Sequence, residues 1–220
     1  MVAVIAVLPG CGGAGSGKVE AGLGAVKQPA RRAASTTAEG AGSSTPASGT
    51  ERVVLGGGCF WCIEASLDLM DGVVETTSGY AGGTTIAPGY EEVCAGDTGH
   101  AEVVSVVYDP AKTSLEKVLD VFFASHDPTS LNKQGNDAGT QYRSVILYDS
   151  VGQKARVEAY IESIRGDYDG PIVTQVVGLG EFYSAEDYHQ DYYENNPDQP
   201  YSRYVIEPKV EKIRKLLGLP

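Results

Sequence analysis

The sequence predicts an α/β (α+β) two-layer sandwich with a mixed β-sheet and a ferredoxin-like core. From about residue 51 onwards, strand-like and helix-like segments alternate along the chain. Their spacing fits both hairpins and longer crossovers, which is typical of a sheet that mixes antiparallel and parallel pairs. A hydrophobic fraction of 42% in 220 residues supports one compact domain, which we place at 51–220.

The first half of this domain has the clearest pattern. Residues 52–58 form an apolar run that enters consecutive glycines, which predicts a buried strand and a tight turn. Apolar residues at helical spacing follow over 59–70. Strands are predicted over 73–80 and 102–108, on either side of a long glycine-containing loop.

The second half is predicted from caps and periodicity, with Ser114 as the N-cap of its first helix. The predicted elements are, in order, a helix over 115–124, a loop over 126–141, a strand over 144–148, a helix over 151–165, a strand over 172–177 and a helix over 184–194.

The N-terminal residues predict an export signal and a linker. Residues 1–11 are apolar up to Leu8-Pro9-Gly10-Cys11, which resembles a bacterial lipobox and predicts a truncated lipoprotein signal with a lipid on Cys11. Residues 12–50, rich in Gly, Ala and Ser, predict a disordered linker. The domain would then be extracytoplasmic and lipid-anchored. Because no Lys or Arg precedes Lys18, a cytoplasmic protein with a disordered tail is the alternative.

The charge balance excludes some partners. The chain has 17 Lys and Arg against 29 Asp and Glu, a net charge of −12. Such a protein is repelled by phosphate backbones and by anionic lipid surfaces. We therefore expect no nucleic-acid partner, and no membrane association except through a lipid on Cys11.

Two cysteines at a strand-to-helix junction point to redox chemistry. Cys59 would begin a helix, where the helix dipole should lower its pKa, and Cys62 follows one turn later. A thioredoxin-like disulfide oxidoreductase would use the same spacing, and two inert buried cysteines are also possible. A zinc site that adds Cys94 and His100 fits poorly, because structural zinc usually takes closely spaced ligand pairs.

Longer motifs narrow these alternatives. Residues 58–64 (Gly-Cys-Phe-Trp-Cys-Ile-Glu) closely resemble the active-site signature of A-type peptide methionine sulfoxide reductases, which are specific for the S epimer. Further blocks resemble the same family in the same order, at 79–83, 90–94, 98–102, 126–129, 134–144 and 185–190. The resemblance covers about residues 52–215, and six ordered blocks make chance agreement implausible.

The resemblance implies a complete set of site residues. The substrates would be oxidised proteins or peptides that contain methionine sulfoxide. The reductant would be an external thiol such as thioredoxin. The enzyme would be a monomer without a metal or other cofactor. By this resemblance, Cys59 would be the nucleophile and Glu102 the general acid. Tyr90 and Tyr142 would donate hydrogen bonds to the sulfoxide oxygen, and Asp137 would support the pocket. Phe60 and Trp61 would form the apolar surface that binds the substrate methyl group.

Recycling is the step at which the chain departs from the family pattern. Attack by Cys59 would leave a sulfenic acid that a second thiol converts to a disulfide. Many members have Gly in place of Cys62 and a recycling Cys in place of Ser202. Resolution would therefore use Cys62, Cys94 or an external thiol, and proximity favours Cys62.

The predicted helix 184–194 would border the site. It carries His189 and Tyr192. His189 is either a satisfied surface histidine or a residue that borders the site, and we assign a catalytic role to neither His189 nor Tyr192.

Overall fold

A six-stranded mixed sheet organises the computed structural model, which describes residues 49–220. The predicted signal 1–11, and all but the last two residues of the predicted linker 12–50, lie outside the described residues. The strands are β1 Glu51–Gly56, β2 Val73–Ala81, β3 Ala101–Tyr108, β4 Lys133–Gln134, β5 Asp137–Ala138, β6 Val145–Tyr148, β7 Gln175–Gly178 and β8 Phe182–Ser184. The helices are α1 Phe60–Leu67, α2 Tyr90–Ala95, α3 Leu115–Ser125, α4 Val151–Ile164, α5 Tyr192–Asn195 and α6 Glu207–Leu217.

The strand order in the sheet is β7-β6-β1-β3-β2-β8, and β4 and β5 form a separate hairpin. β6 and β7 pair in parallel, whereas the other neighbours in the large sheet are antiparallel. The predicted mixed sheet with helices is therefore confirmed.

Side-chain alternation along β3 divides the core into two unequal parts. Val104 and Val106 contribute to a large cluster that also contains side chains of α1, α3, α4 and α6. Val103, on the opposite face, belongs to a small cluster. Because side chains of a strand alternate between faces, Glu102 points to the same side as Val104 and thus towards the helix layer.

Several predicted elements are wrong in detail. The loop before β3 contains α2, and the loop 126–141 contains the β4–β5 hairpin. The predicted helix 184–194 is instead the end of β8, a 3₁₀ turn over Asp187–His189 and the four-residue α5. Asp191, whose φ of 51° is left-handed, interrupts it.

The C-terminal elements were not predicted. A π-helical turn over Ser202–Ile206 leads directly into α6. α6 carries Val210 and Ile213 into the main core, so this segment packs on the same side of the sheet as α1.

Candidate active site

Cys59 is the N-cap of α1, at the end of a turn that requires glycine. A Cβ atom on Gly57 would lie 2.9 Å from Cγ of His126, and one on Gly58 would lie 2.8 Å from Cβ of Gln134. Gly58 also has a φ of 94°, which L side chains rarely adopt. The turn therefore brings the Cys59 backbone close to its surroundings, as the three glycines in the sequence indicate.

The sequence predicts that the pKa of Cys59 is lowered, and this prediction is wrong. Burial raises the pKa of the Cys59 thiol well above its usual value, and a hydrogen bond with Cys62 raises it further. The helix dipole would act in the opposite sense, but the buried pocket removes the water that would solvate a thiolate. The resting enzyme therefore holds Cys59 as a neutral thiol.

Cys62 is the sulfur that carries the negative charge more readily. The hydrogen bond from Cys59 lowers the pKa of Cys62 to about 7, and Lys209 lowers this pKa as well, by its charge and by a hydrogen bond. Both cysteines are buried and free. The pair can therefore share one proton, with the charge placed on Cys62 beside the lysine.

Glu102 lies on β3 beside the start of α1. Its Oε2 accepts a hydrogen bond of 3.2 Å from the backbone N–H of Phe60, the residue after Cys59. The side chain is only 2% exposed, and burial raises its pKa to about 8. Glu102 is therefore mostly protonated at neutral pH, as predicted for a general acid.

Three tyrosines and an aspartate complete the polar side of the pocket. Tyr90 begins α2, and Tyr142 ends a 3₁₀ turn over Thr140–Tyr142. Burial raises the pKa of both phenols, and the nearby charges of Glu102 and Cys59 raise it further. The Tyr201 hydroxyl donates a hydrogen bond of 3.2 Å to Oδ2 of Asp137 and is also within hydrogen-bonding reach of the Cys59 sulfur.

An aromatic cluster forms the apolar side of the pocket. The Phe60 and Trp61 rings lie 6.2 Å apart, measured between centroids. Tyr192 stacks on Trp61 with a centroid separation of 3.6 Å and an interplanar angle of 8°. The edge of Tyr201 meets Trp61 at 5.6 Å and 77°. These rings can enclose a small apolar group such as a methyl.

His189 differs from the expected surface histidine. It is only 1% exposed, and its ring lies 4.9 Å from Phe60 and 4.5 Å from Tyr90. Burial lowers its pKa to about 4, so it is neutral at physiological pH. Of the two alternatives for His189, the surface histidine is therefore wrong, and the helix 184–194 on which it rested does not form.

The structure thus brings together Cys59, Glu102, Tyr90, Tyr142, Asp137, Phe60, Trp61 and Cys62. Sequence reasoning missed Tyr201, Lys209 and the stacking of Tyr192. The available signal was weak: Tyr201 is an aromatic residue next to Ser202, a position that the family resemblance had already singled out.

Cys94 and His100 do not form the zinc site considered from the sequence. Cys94 lies on α2. The His100 ring accepts a hydrogen bond from the Gly83 N–H at 3.2 Å and contacts the Thr85 carbonyl at 2.8 Å. Within residues 49–220, no group of three or more His, Cys, Asp or Glu side chains is placed to hold a metal ion.

Comparison with known proteins agrees with this geometry. The model of the family "Peptide methionine sulfoxide reductase" matches residues 51–218. The chain is 54% identical to peptide methionine sulfoxide reductase MsrA of Haloquadratum walsbyi over 166 residues, which are 76% of this chain and 95% of that protein. It is 51% identical to the same enzyme of Trichodesmium erythraeum over 167 residues, which are 75% of this chain and 94% of that protein.

Solved structures show the same fold. Methionine sulfoxide reductase A of Corynebacterium diphtheriae matches with a TM-score of 0.66 and 39% identity, covering 69% of this chain and 77% of that one. Reduced Mxr1 from Saccharomyces cerevisiae matches with a TM-score of 0.67 and 35% identity, covering 73% of this chain and 90% of that one.

A buried cysteine pair beside a protonated glutamate defines a thiol-dependent oxidoreductase. The chain belongs to the peptide methionine sulfoxide reductase family. It reduces methionine sulfoxide at the expense of thiols.

Proposed function

We propose that Cys59 attacks the sulfur of methionine S-sulfoxide while Glu102 protonates the sulfoxide oxygen. The observation that carries this proposal is the hydrogen bond from the Phe60 N–H to Oε2 of Glu102. It places the carboxyl group beside the nucleophile and leaves Oε1 to carry the proton. Tyr90 and Tyr142 donate hydrogen bonds to the same oxygen, and Asp137 supports the pocket through Tyr201.

The proton of Cys59 first passes to Cys62. The Cys59 thiolate then attacks the substrate sulfur, and Glu102 gives its proton to the oxygen. The attack forms a bond between the two sulfur atoms. The hydroxyl group then moves from the substrate sulfur to the Cys59 sulfur as the sulfur–sulfur bond and the substrate sulfur–oxygen bond break, so the sulfoxide is reduced to a thioether and Cys59 is oxidised to a sulfenic acid. Glu102 regains its proton from solvent.

The arrangement of the pocket supports selectivity for the S epimer. The polar groups Glu102, Tyr90 and Tyr142 bind the oxygen, whereas Phe60 and Trp61 bind the methyl group. Exchanging oxygen and methyl would place a polar atom against the rings and leave buried hydroxyls unpaired, which is costly. An assay of the resolved epimers with a dithiol reductant tests this. We expect turnover of the S epimer only, and no turnover of either would refute the proposal.

Cys62 resolves the sulfenic acid. Its thiol displaces water from the oxidised Cys59, and a Cys59–Cys62 disulfide forms. Contact between the two sulfurs and the positive charge of Lys209 support this assignment. The alternative, Cys94, lies on another helix, α2.

An external dithiol of the thioredoxin type then reduces this disulfide and returns the enzyme to its starting state. The enzyme acts as a monomer on oxidised proteins and peptides. Sedimentation should give one species near 23.1 kDa for the unmodified chain, and a stable dimer would refute the monomer proposal.

The finer fold class is proposed as ferredoxin-like. The order β6-β1-β3-β2 in the sheet, with α1 and α3 as the connecting helices, supports it.

A further inference from the structure

Tyr192 covers Trp61, but the segment that carries Tyr192 has little structure of its own. α5 contains only four residues and follows the left-handed Asp191. A helix of one turn is not stable by itself, so contacts from other elements must hold it in place. Those contacts decide whether the ring of Tyr192 stays against Trp61.

Gln190 attaches this segment to the edge of the sheet. Its Oε1 accepts a hydrogen bond of 2.9 Å from the Ser78 N–H, and its Nε2 donates one of 3.0 Å to the Ser78 carbonyl. Nε2 also donates to the Ala185 carbonyl at 3.0 Å. The side-chain amide thus satisfies both backbone groups of Ser78 on β2, just beyond the last β2–β8 pair at Gly79 and Ser184.

Glu64 attaches the same segment to α1. Its side chain is only 2% exposed, and its Oε1 accepts a hydrogen bond of 2.9 Å from the Ser78 hydroxyl. The backbone N–H of Tyr192 also lies within hydrogen-bonding reach of this carboxyl group. Glu64 follows Trp61 by one helical turn. One buried group therefore links the helix that carries Trp61, the strand β2 and the backbone of Tyr192, whose ring covers Trp61.

Burying a carboxyl group at position 64 costs free energy of desolvation. Asp68 and Asp191 lie nearby, and burial raises the pKa of Glu64 to about 7. An apolar side chain would avoid the cost of desolvation, but it could not bind the Ser78 hydroxyl and the Tyr192 N–H. The polar contacts are what this residue contributes.

We propose that Glu64, together with Gln190, is a positioning residue that holds Tyr192 over Trp61 and thereby shapes the site for the substrate methyl group. This inference rests on the proposed role of Trp61 in binding that group. It assigns Glu64 an effect on substrate binding and not on the chemical step.

The test uses the full chain and its single tryptophan, Trp61. Glu64→Leu should raise KM for a methionine S-sulfoxide peptide about three- to tenfold, the size expected for one aromatic pair, with kcat within about twofold. Acrylamide should quench Trp61 fluorescence more strongly. Glu64→Gln, which keeps the hydrogen bonds, should restore both values. Glu158→Leu, an exposed change on α4, is the matched control.

A double-variant cycle separates positioning from general loss of structure. If Glu64 acts through Tyr192, the KM effects of Glu64→Leu and Tyr192→Leu should not add. Additive effects, or unchanged KM and quenching in folded Glu64→Leu protein, would overturn the proposal. If Glu64→Leu does not fold, Gln190→Met provides the same readouts. Failure of the wild-type enzyme to reduce the S epimer would instead count against the proposed function.

Discussion

Cys59 and Cys62 illustrate what a sequence motif shows about a reactive residue and what it does not. The Cys-X-X-Cys spacing correctly indicated two sulfurs near the start of a helix. The pKa order of the two cysteines could not be predicted, because it depends on their burial and on Lys209, which is distant in sequence. Glu102 was predictable because its place in a family motif and its place on a buried strand agree.

Cys59→Ser should abolish reduction, because a serine hydroxyl is far less acidic and less nucleophilic than a thiol. The measurement is methionine formed per enzyme in a single turnover without reductant. Cys62→Ser is the comparison variant: it should still form about one equivalent and leave a sulfenic acid that dimedone traps, but more slowly, because a serine hydroxyl cannot accept the Cys59 proton. Methionine formation by Cys59→Ser would place the nucleophile elsewhere.

The single-turnover rate should depend on pH in a bell shape. Cys62 must be deprotonated to accept the proton of Cys59, so the rate should fall as pH drops through about 7. Glu102 must be protonated, so the rate should fall as pH rises through about 8. The maximum should lie between these values.

Glu102→Gln should slow the chemical step by about 10²–10⁴-fold, the usual contribution of a positioned acid. The same substitution should remove the alkaline limb of the pH profile, because the amide does not titrate. An unaltered single-turnover rate with changed affinity would exclude Glu102 as the general acid.

Among the elements, those with strong local patterns were predicted and those held by tertiary contacts were not. β1, α1, β3 and α3 have clear periodicity or a cap, and the bond from the Lys117 N–H to the Ser114 hydroxyl confirms that cap. The segment 184–194 has helical spacing, but its own Gln190 and Glu64 of α1 make hydrogen bonds that hold it in another conformation. In short segments such tertiary contacts override the local helix propensity.

The turn before α1 gives a test at this scale. Gly57→Ala should destabilise the protein by about 1–3 kcal/mol and reduce activity, because the added Cβ would press on the His126 ring. Gly180→Ala is the control, since a Cβ there meets nothing within 4 Å. Urea denaturation measures both variants, and equal free energies of unfolding would show that the turn tolerates a side chain.

Oxidation by one equivalent of substrate should produce a Cys59–Cys62 disulfide, detectable by peptide mapping. Lys209→Met should slow its formation and shift the acid limb of the pH profile upwards, because the neutral side chain no longer stabilises the Cys62 thiolate. Lys212→Met, one turn further along α6 and exposed, is the control.

If Cys62→Ser recycles normally with thioredoxin while Cys94→Ser stalls as a sulfenic acid, Cys94 is the resolving residue.

At the scale of the whole molecule, the family model matches residues 51–218. The domain bounds 51–220 and the linker 12–50 stay predictions from the sequence. None of the helices in residues 49–220 is both long and apolar enough to span a bilayer. Separately, the sequence predicts a lipid on Cys11.

Cys11→Ser should abolish incorporation of labelled fatty acid in a bacterial host without altering turnover of the S epimer. The reason is that every residue assigned to the pocket lies after residue 51. Equal labelling of both proteins would refute the lipid anchor and favour a cytoplasmic enzyme.

The position of Lys209 on the last described helix also has a consequence for biosynthesis. Cys59 is translated early, whereas Tyr201 and Lys209, which complete its surroundings, are translated much later. A nascent chain therefore carries both thiols before it has the groups that bury and tune them. Because a domain of this kind folds as a unit, catalytic competence should arise only when α6 emerges from the ribosome and packs against α1.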